Sequence, residues 1–260
     1  MYKLIIDFTN SSLENKVKKA GLRCLKMSKP KNVWAEFFAD KRSGGHRSSA
    51  EEFILMEAKE KLFHLNGGKT LLDFGCGAAE LLTYYAPEYE RLVGVDFSAS
   101  MLDEASKRIR EKKCENVSLI LADNKTVWDK LEFSFDRITA AGVFQFLKYQ
   151  EIDEFIFNAS KYLNKDGKIV IFDIQDSRLY PLWKMGLFSK DPKLKNILYK
   201  VGYELKTIVF ANVKNRQRDI LGYTHTPYKI EMIVNKNGFK MTCVQSMYYE
   251  YKFHAIISWT

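Results

Sequence analysis

Strand-like and helix-like patterns alternate five times between residues 70 and 174. That alternation predicts an α/β protein built on a doubly wound, mostly parallel sheet. Two further observations agree. The strand candidates are short, near-continuous apolar runs, as expected of a sheet covered on both faces. Turn signals bracket them: Asn66-Gly67-Gly68-Lys69 precedes the first strand and Asn164-Lys165-Asp166-Gly167 the fifth.

Taken in order, Thr70–Phe74 is an apolar run that stops at glycine, and Ala78–Ala86 carries a helical pattern. Leu92–Asp96 (LVGVD) is the second strand. In the helix expected over Ser98–Lys113, Met101, Leu102, Ala105 and Ile109 recur at three- and four-residue spacing. Lys107, Arg108, Arg110, Glu111 and Lys112 fill its other face, and Ser98 or Ser100 caps its start. Val117–Leu121 and Phe135–Ala140 follow as strands, separated by a short helical pattern at Val127–Leu131. Glu151–Leu163 reads as helix and Lys168–Ile174 as the fifth strand. The next recognisable helix is Pro227–Asn235. The interval of roughly fifty residues is too long for a structureless loop in a compact domain, so Leu179–Tyr203 reads as mainly helical and Leu205–Val213 as strand.

Length and composition narrow the function classes. The chain has 260 residues, 46% hydrophobic and 28% charged, which suits an ordinary globular protein with a sizeable core and excludes disorder over most of it. Cys24, Cys76, Cys114 and Cys243 form no C-x-x-C pair, so a reduced, cytoplasmic chain without structural zinc is expected. The apolar start MYKLIIDF is too short for a leader peptide, and no stretch approaches the roughly 18 apolar residues that span a bilayer. Charge is uneven. Residues 1–31 hold eight Lys/Arg against two acids, and residues 177–226 hold ten against three, although the whole chain is only +9. These counts divide the chain into a basic N-terminal arm over 1–48 and a catalytic domain over 49–260, with 177–226 inserted as a basic lid.

The stretch LLDFGCGAAELL (71–82) places Gly75-Cys76-Gly77 where the first strand turns into the first helix, beyond the carboxyl end of a parallel strand, where ligands bind in such sheets. Glycines there let a ligand approach the main chain. Asp96 ends the second strand, where a carboxylate can accept from both hydroxyls of a ribose. Together these features specify a nucleoside. A dinucleotide site calls for G-x-G-x-x-G, but Glu80 occupies the third glycine's place and would set a negative charge near a diphosphate. Asp73, beside the turn, instead suits a ligand with an ammonium group. A nucleoside bearing an amino acid and a sulfonium fits, which describes S-adenosylmethionine.

At this point DFGCGAAE (73–80), VGVDFSASML (93–102), LADN (121–124), FDRITAAGVFQFL (135–147) and LNKDGKIVIFD (163–173) together resemble the successive motifs of the class I S-adenosylmethionine-dependent methyltransferases. The C-terminal segment 237–259 is similar to that family's closing antiparallel hairpin. The resemblance implies a Rossmann-like sheet of seven strands. It further implies that Gly75 and Gly77, with Cys76 between them, carry the backbone against the cofactor, and that Asp73 positions the methionine ammonium. Asp96 would hold the ribose hydroxyls, with Phe97 beside the adenine and Met101 close behind. Asp123, next to Asn124, would accept from the adenine amino group, and Ala140 and Ala141 would approach the methionine portion. Ala79 stands where the family often has a further glycine. Met101, Phe97 and Cys76 also have plain packing roles open to them, and Asp123 a turn-capping one.

The transfer itself is in-line displacement at a sulfonium methyl, to which a protein contributes mainly orientation and a shielded site. An oxygen acceptor also needs a base. His225, in GYTHTP where the lid returns to the core, is the histidine best placed for that role, with Tyr223 as its partner. The strand ends carry no metal-ligand constellation, so no metal is expected. The first reading is therefore methyl transfer to an O or N atom of a small-molecule acceptor, with the basic lid and arm favouring an anionic one. RNA methylation, supported by a pI near 9.2, and a cofactor-binding protein without transferase activity are the rivals. The base-amino methyltransferase motif N/D-P-P-Y is absent, with Ala140-Ala141-Gly142-Val143 in its place.

Overall fold

The computed structural model describes residues 51–188 and 222–260. The arm over 1–48, most of the lid over 177–226 and the expected strand Leu205–Val213 lie outside the described residues. The sheet has seven strands in the order β3-β2-β1-β4-β5-β7-β6. β1 (Thr70–Phe74), β2 (Arg91–Asp96), β3 (Val117–Leu121), β4 (Phe135–Ala141) and β5 (Leu163–Gln175) run parallel. β7 (Lys252–Trp259) enters antiparallel beside β5 and pairs with β6 (Phe239–Gln245), closing the sheet with the expected hairpin.

Helices cover both faces, as the two-sided burial of the strands demands. On one face α1 (Glu51–Leu65), α2 (Leu82–Tyr85) and α3 (Ala99–Glu111) bury Ile54, Ala58, Leu82, Tyr85 and Leu102 against Leu71, Leu92, Val170 and Phe172. On the other, α4 (Tyr149–Lys161) and α5 (Pro227–Lys236) pack Phe155, Ile156, Ile230 and Val234 onto Leu72, Val93, Ile138 and Ile171. Ser98 caps α3 by accepting from the Met101 N–H, as its position predicts.

Three expectations need correction. The helix expected over Ala78–Ala86 shrinks to the four residues of α2, because the chain spends Ala78–Leu81 in a turn with Ala79 at φ 60°. An L-residue in that left-handed region costs about 1–2 kcal/mol. Val127–Leu131 forms a single 3-10 turn, Trp128–Lys130. The presumed turn Asn164–Gly167 belongs to β5, whose first residue pairs with Phe135.

The amino ends of the central strands are stapled by Asp136. It accepts from the Lys69 and Thr70 N–H groups and, through its other oxygen, from the Asn164 amide at 2.7 Å. Burial pushes this carboxyl's pKa up, but those donors outweigh it and hold it below the ordinary value. The opposite, carboxyl ends of the strands are left to carry a site.

Candidate functional site

The turn after β1 leans across onto β2: the Gly75 and Cys76 N–H groups both donate to the Val95 carbonyl, at 2.7 and 2.9 Å. Gly75 (φ 77°) and Gly77 (φ 58°) occupy the left-handed region, but they do different work. A methyl on Gly75 would collide with the Val143 side chain, so the turns after β1 and β4 touch there. A methyl on Gly77 would meet nothing within 4 Å, so this glycine opens onto free space. Cys76 points the other way, into the sheet beneath Gly94, and burial, then Asp73 and Asp96, hold its thiol protonated. Its backbone faces the turn while its side chain packs.

Asp96 ties two crossovers together. One oxygen accepts from the Gly77 N–H at 3.0 Å and the other from the Ser98 N–H at 2.8 Å. With 8% of its surface exposed, the carboxyl is shifted upward by burial, against which the Ser98, Gly77 and Phe97 N–H groups act. Asp73 is also buried, at the end of β1. Open space over Gly77, next to the Asp96 carboxylate that accepts its N–H and just after buried Asp73 in the chain, fits a ligand that brings hydroxyls and an ammonium. Phe97, which follows Asp96, is 42% exposed, whereas Met101 is buried as core.

Ala122 donates to the Asp96 carbonyl, which brings the end of β3 alongside. There one oxygen of Asp123 caps its own turn, accepting from the Lys125 and Thr126 N–H groups and the Thr126 hydroxyl. The Asn124 carbonyl accepts from Trp128. Ala140 is fully buried, and Ala141, paired with Phe172, is the last residue of β4.

Beyond β4 and β5 the site is made of side chains. The segment 223–225 lies beside the end of β5, with the His225 N–H donating to the Gln175 carbonyl and the Tyr223 N–H to the Gln145 carbonyl. His225 is 1% exposed. Its Nε2 lies 2.8 Å from the Phe144 carbonyl, an acceptor only, so Nε2 carries the hydrogen and Nδ1 the lone pair. Nδ1 has no hydrogen-bond partner among the described residues. Burial lowers the ring's pKa and so favours the neutral ring, outweighing the bond to the Phe144 carbonyl, which acts in the opposite direction.

Sequence reasoning missed Gln145 and Gln175. The Gln175 amide donates to Gln145 Oε1 at 2.6 Å, and the Gln145 amide donates to the Gly142 carbonyl at 2.9 Å. It also missed Lys61, Asp173, Glu60 and His254, a buried polar group joining α1 to β5 and β7. The available signal was polar residues inside an apolar strand (IVIFDIQD) and a helix with charges on more than one face.

Comparison with known proteins defines the class. The described domain has the fold of magnesium protoporphyrin IX methyltransferase from Synechocystis PCC 6803, solved with bound SAM, at a TM-score of 0.59 and 13% identity over 91% of this chain and 100% of that one. The cyclopropane synthase MmaA2 of Mycobacterium tuberculosis superposes at 0.53, with 23% identity, over 76% and 64%. Residues 71–167 match the methyltransferase domain family. The match to the methyltransferase domain family and the shared fold together make this part of the chain similar to the class I S-adenosylmethionine-dependent methyltransferases. In sequence it is 27% identical over 122 residues to (S)-coclaurine N-methyltransferase of Thalictrum flavum subsp. glaucum, covering 46% of this chain and 33% of that protein. It is 24% identical over 189 residues to cyclopropane mycolic acid synthase 3 of Mycobacterium tuberculosis, covering 72% and 60%. The alignments thus span about a third and three-fifths of these two relatives' lengths. Among the described residues no helix is long and apolar enough to cross a membrane.

Proposed function

We propose that this chain transfers the methyl group of S-adenosylmethionine to an oxygen or nitrogen atom of a small anionic molecule. The observation that carries the reading is the turn at the ends of β1 and β2, where Gly77 opens onto free space and donates its N–H to the buried carboxylate of Asp96, with buried Asp73 on the strand that leads into it. When bound, S-adenosylmethionine supplies an electrophilic sulfonium methyl. The Gly77 and Ser98 N–H groups bond to different Asp96 oxygens, and the carboxylate's remaining lone pairs would take the ribose hydroxyls. Asp73 takes the ammonium. Phe97 flanks the adenine, Asp123 and Asn124 line its edge, and Ala140 and Ala141 leave room for the methionine chain.

His225 is the proposed base. Its tautomer is set by the Phe144 carbonyl, so Nδ1 is the atom that takes the acceptor's proton, and a neutral ring is the competent form. Tyr223, two residues earlier on the same segment, completes the acceptor side. The anionic preference rests on the ten Lys/Arg against three acids over 177–226. A small acceptor is supported by the relatives, whose names specify coclaurine and magnesium protoporphyrin IX.

The test has two stages. Calorimetry with S-adenosylhomocysteine should give saturable binding that Asp96→Ala weakens. Tritium from methyl-labelled S-adenosylmethionine should then pass to a low-molecular-weight metabolite extract and not to tRNA or rRNA. Absence of binding sinks the cofactor assignment, and label appearing in RNA alone replaces the acceptor class.

A further inference from the structure

Lys61, on α1, is fully buried, and its Nζ lies 3.0 Å from Asp173 Oδ2 near the end of β5. Buried ion pairs are poor stabilisers, because desolvating two charges consumes most of what their attraction returns. Asp173 is also strained, at φ 61°. The two oddities coincide with a third: the pairing of β5 with β7 slips by one residue between Ile171 and Ile174. Asp173 is the bulged residue.

The bulge is held from two sides. The Asp173 N–H donates to His254 Nδ1 at 3.2 Å, which leaves the hydrogen of that ring on Nε2, directed to Glu60 Oε1 at 3.1 Å. The same Glu60 oxygen accepts the Met247 N–H at 2.6 Å. Burial pushes the Glu60 carboxyl pKa up, but the bonds from His254 and Met247 outweigh it, so the charge is retained. Two consecutive residues of α1, Glu60 and Lys61, therefore grip the backbone and the carboxylate of the bulge, one through His254 and one directly.

The bulge reverses the alternation of side chains along the strand. Ile169 and Ile171 lie in one core cluster and Val170 and Phe172 in the other, yet Ile174 returns to the cluster of Ile171 instead of that of Val170. Everything after Asp173 is flipped relative to a regular strand. The first polar residue past the flip is Gln175, buried and bonded to Gln145, which holds the Gly142 carbonyl just beyond β4. In an unbulged strand Gln175 would project to the opposite side and lose Gln145.

We propose that Lys61, Asp173, Glu60 and His254 are positioning residues of the acceptor half of the site, acting through the bulge to aim Gln175 at Gln145 beside the turn after β4. The inference rests on the methyl-transfer reading, but its principal test does not. The double variant Lys61→Met/Asp173→Asn removes both charges while Asn still tolerates the left-handed backbone. His254→Gln is a milder second variant that leaves the ion pair.

In the wild type, side-chain 15N-labelled glutamine should give a Gln175 amide signal, assigned by its loss in Gln175→Leu, that is shifted and protected from solvent exchange. Both the double variant and His254→Gln should move that signal and lose its protection while melting within a few degrees of the wild type. S-adenosylhomocysteine affinity should stay within about twofold. Label transfer to the metabolite extract should fall about 100-fold, the penalty for misplacing a site by an ångström or so. Lys61→Arg, which keeps the charge, should restore signal and transfer. An unmoved Gln175 amide in the folded variants, or a double variant that cannot fold, overturns the proposal, since the group would then be structural. Failure of the wild type to bind S-adenosylhomocysteine would instead count against the methyltransferase reading, with the amide signal still deciding the positioning role.

Discussion

The two halves of the sheet's carboxyl edge are built from different materials. Over β1 to β3 the site is mostly main chain: two left-handed glycines, N–H groups from Gly77 and Ser98, and the carboxylate that collects them. Over β4, β5 and β7 it is side chains drawn from far apart in the chain, with His225 meeting Phe144, Gln175 meeting Gln145, and Lys61 meeting Asp173. A main-chain site can be encoded in a few adjacent residues and takes one ligand shape. A site of converging side chains can be altered one residue at a time, which suits the half proposed to take the acceptor.

The largest expected contrast comes from His225→Gln. It should leave S-adenosylhomocysteine affinity unchanged and lower methyl transfer about 10²- to 10⁴-fold, the usual contribution of a general base. A matching fall in both quantities would erase the division between the halves. Gly75→Ala should do the reverse. The added methyl strikes Val143 and the backbone is left-handed, so a loss of about 2–4 kcal/mol in stability is expected, together with cofactor binding, measured by melting and calorimetry. Asp96→Ala should weaken cofactor affinity by about 1.5–3 kcal/mol, roughly 10- to 150-fold. Because the upward-shifted Asp96 carboxyl must be ionised to accept from a ribose, affinity should begin to fall at a higher pH than an ordinary aspartate would set.

His225 also gives a smaller, signed effect on stability. Its folded pKa is depressed, so the unfolded chain takes up its proton first as pH falls. Its stabilising contribution is complete above the unfolded value of about 6.5 and is lost as pH drops from there through the lower folded value. Melting curves of the wild type should decline over that window more than those of His225→Gln. The smallest effect belongs to Ala79→Gly. Relief of left-handed strain, about 1–2 kcal/mol, is offset by about 0.8 kcal/mol from the lost buried methyl and by the extra freedom of unfolded glycine. A melting temperature within a few degrees of wild type is expected.

This contrast also explains what could be read without coordinates. The order of strands and helices, Ser98 as a cap, and the turn with Asp96 are all short-range in sequence, so period and spacing expose them. The true extent of α2 was hidden because Ala79 has good helix propensity yet sits in a conformation no propensity favours. Asn164–Gly167 looked like a turn because its residues are turn formers, although pairing at Leu163 and Lys168 carries β5 through it. Gln145–Gln175 and Lys61–Asp173 join residues 30 and 112 positions apart, and a single sequence gives no sign that they meet.

α1 bears on where this domain begins. The stretch shared with the methyltransferase domain family opens at residue 71, and an expression boundary drawn there would appear natural. Such a fragment would lack Ile54, Ala58 and Leu65, baring apolar surface around Leu71 and Phe172, and would leave Asp173 a buried carboxylate without its counter-ion. A fragment that keeps these contacts therefore includes α1 from Ile54 onward. A library screened from residue 71 would report aggregation where the intact chain folds.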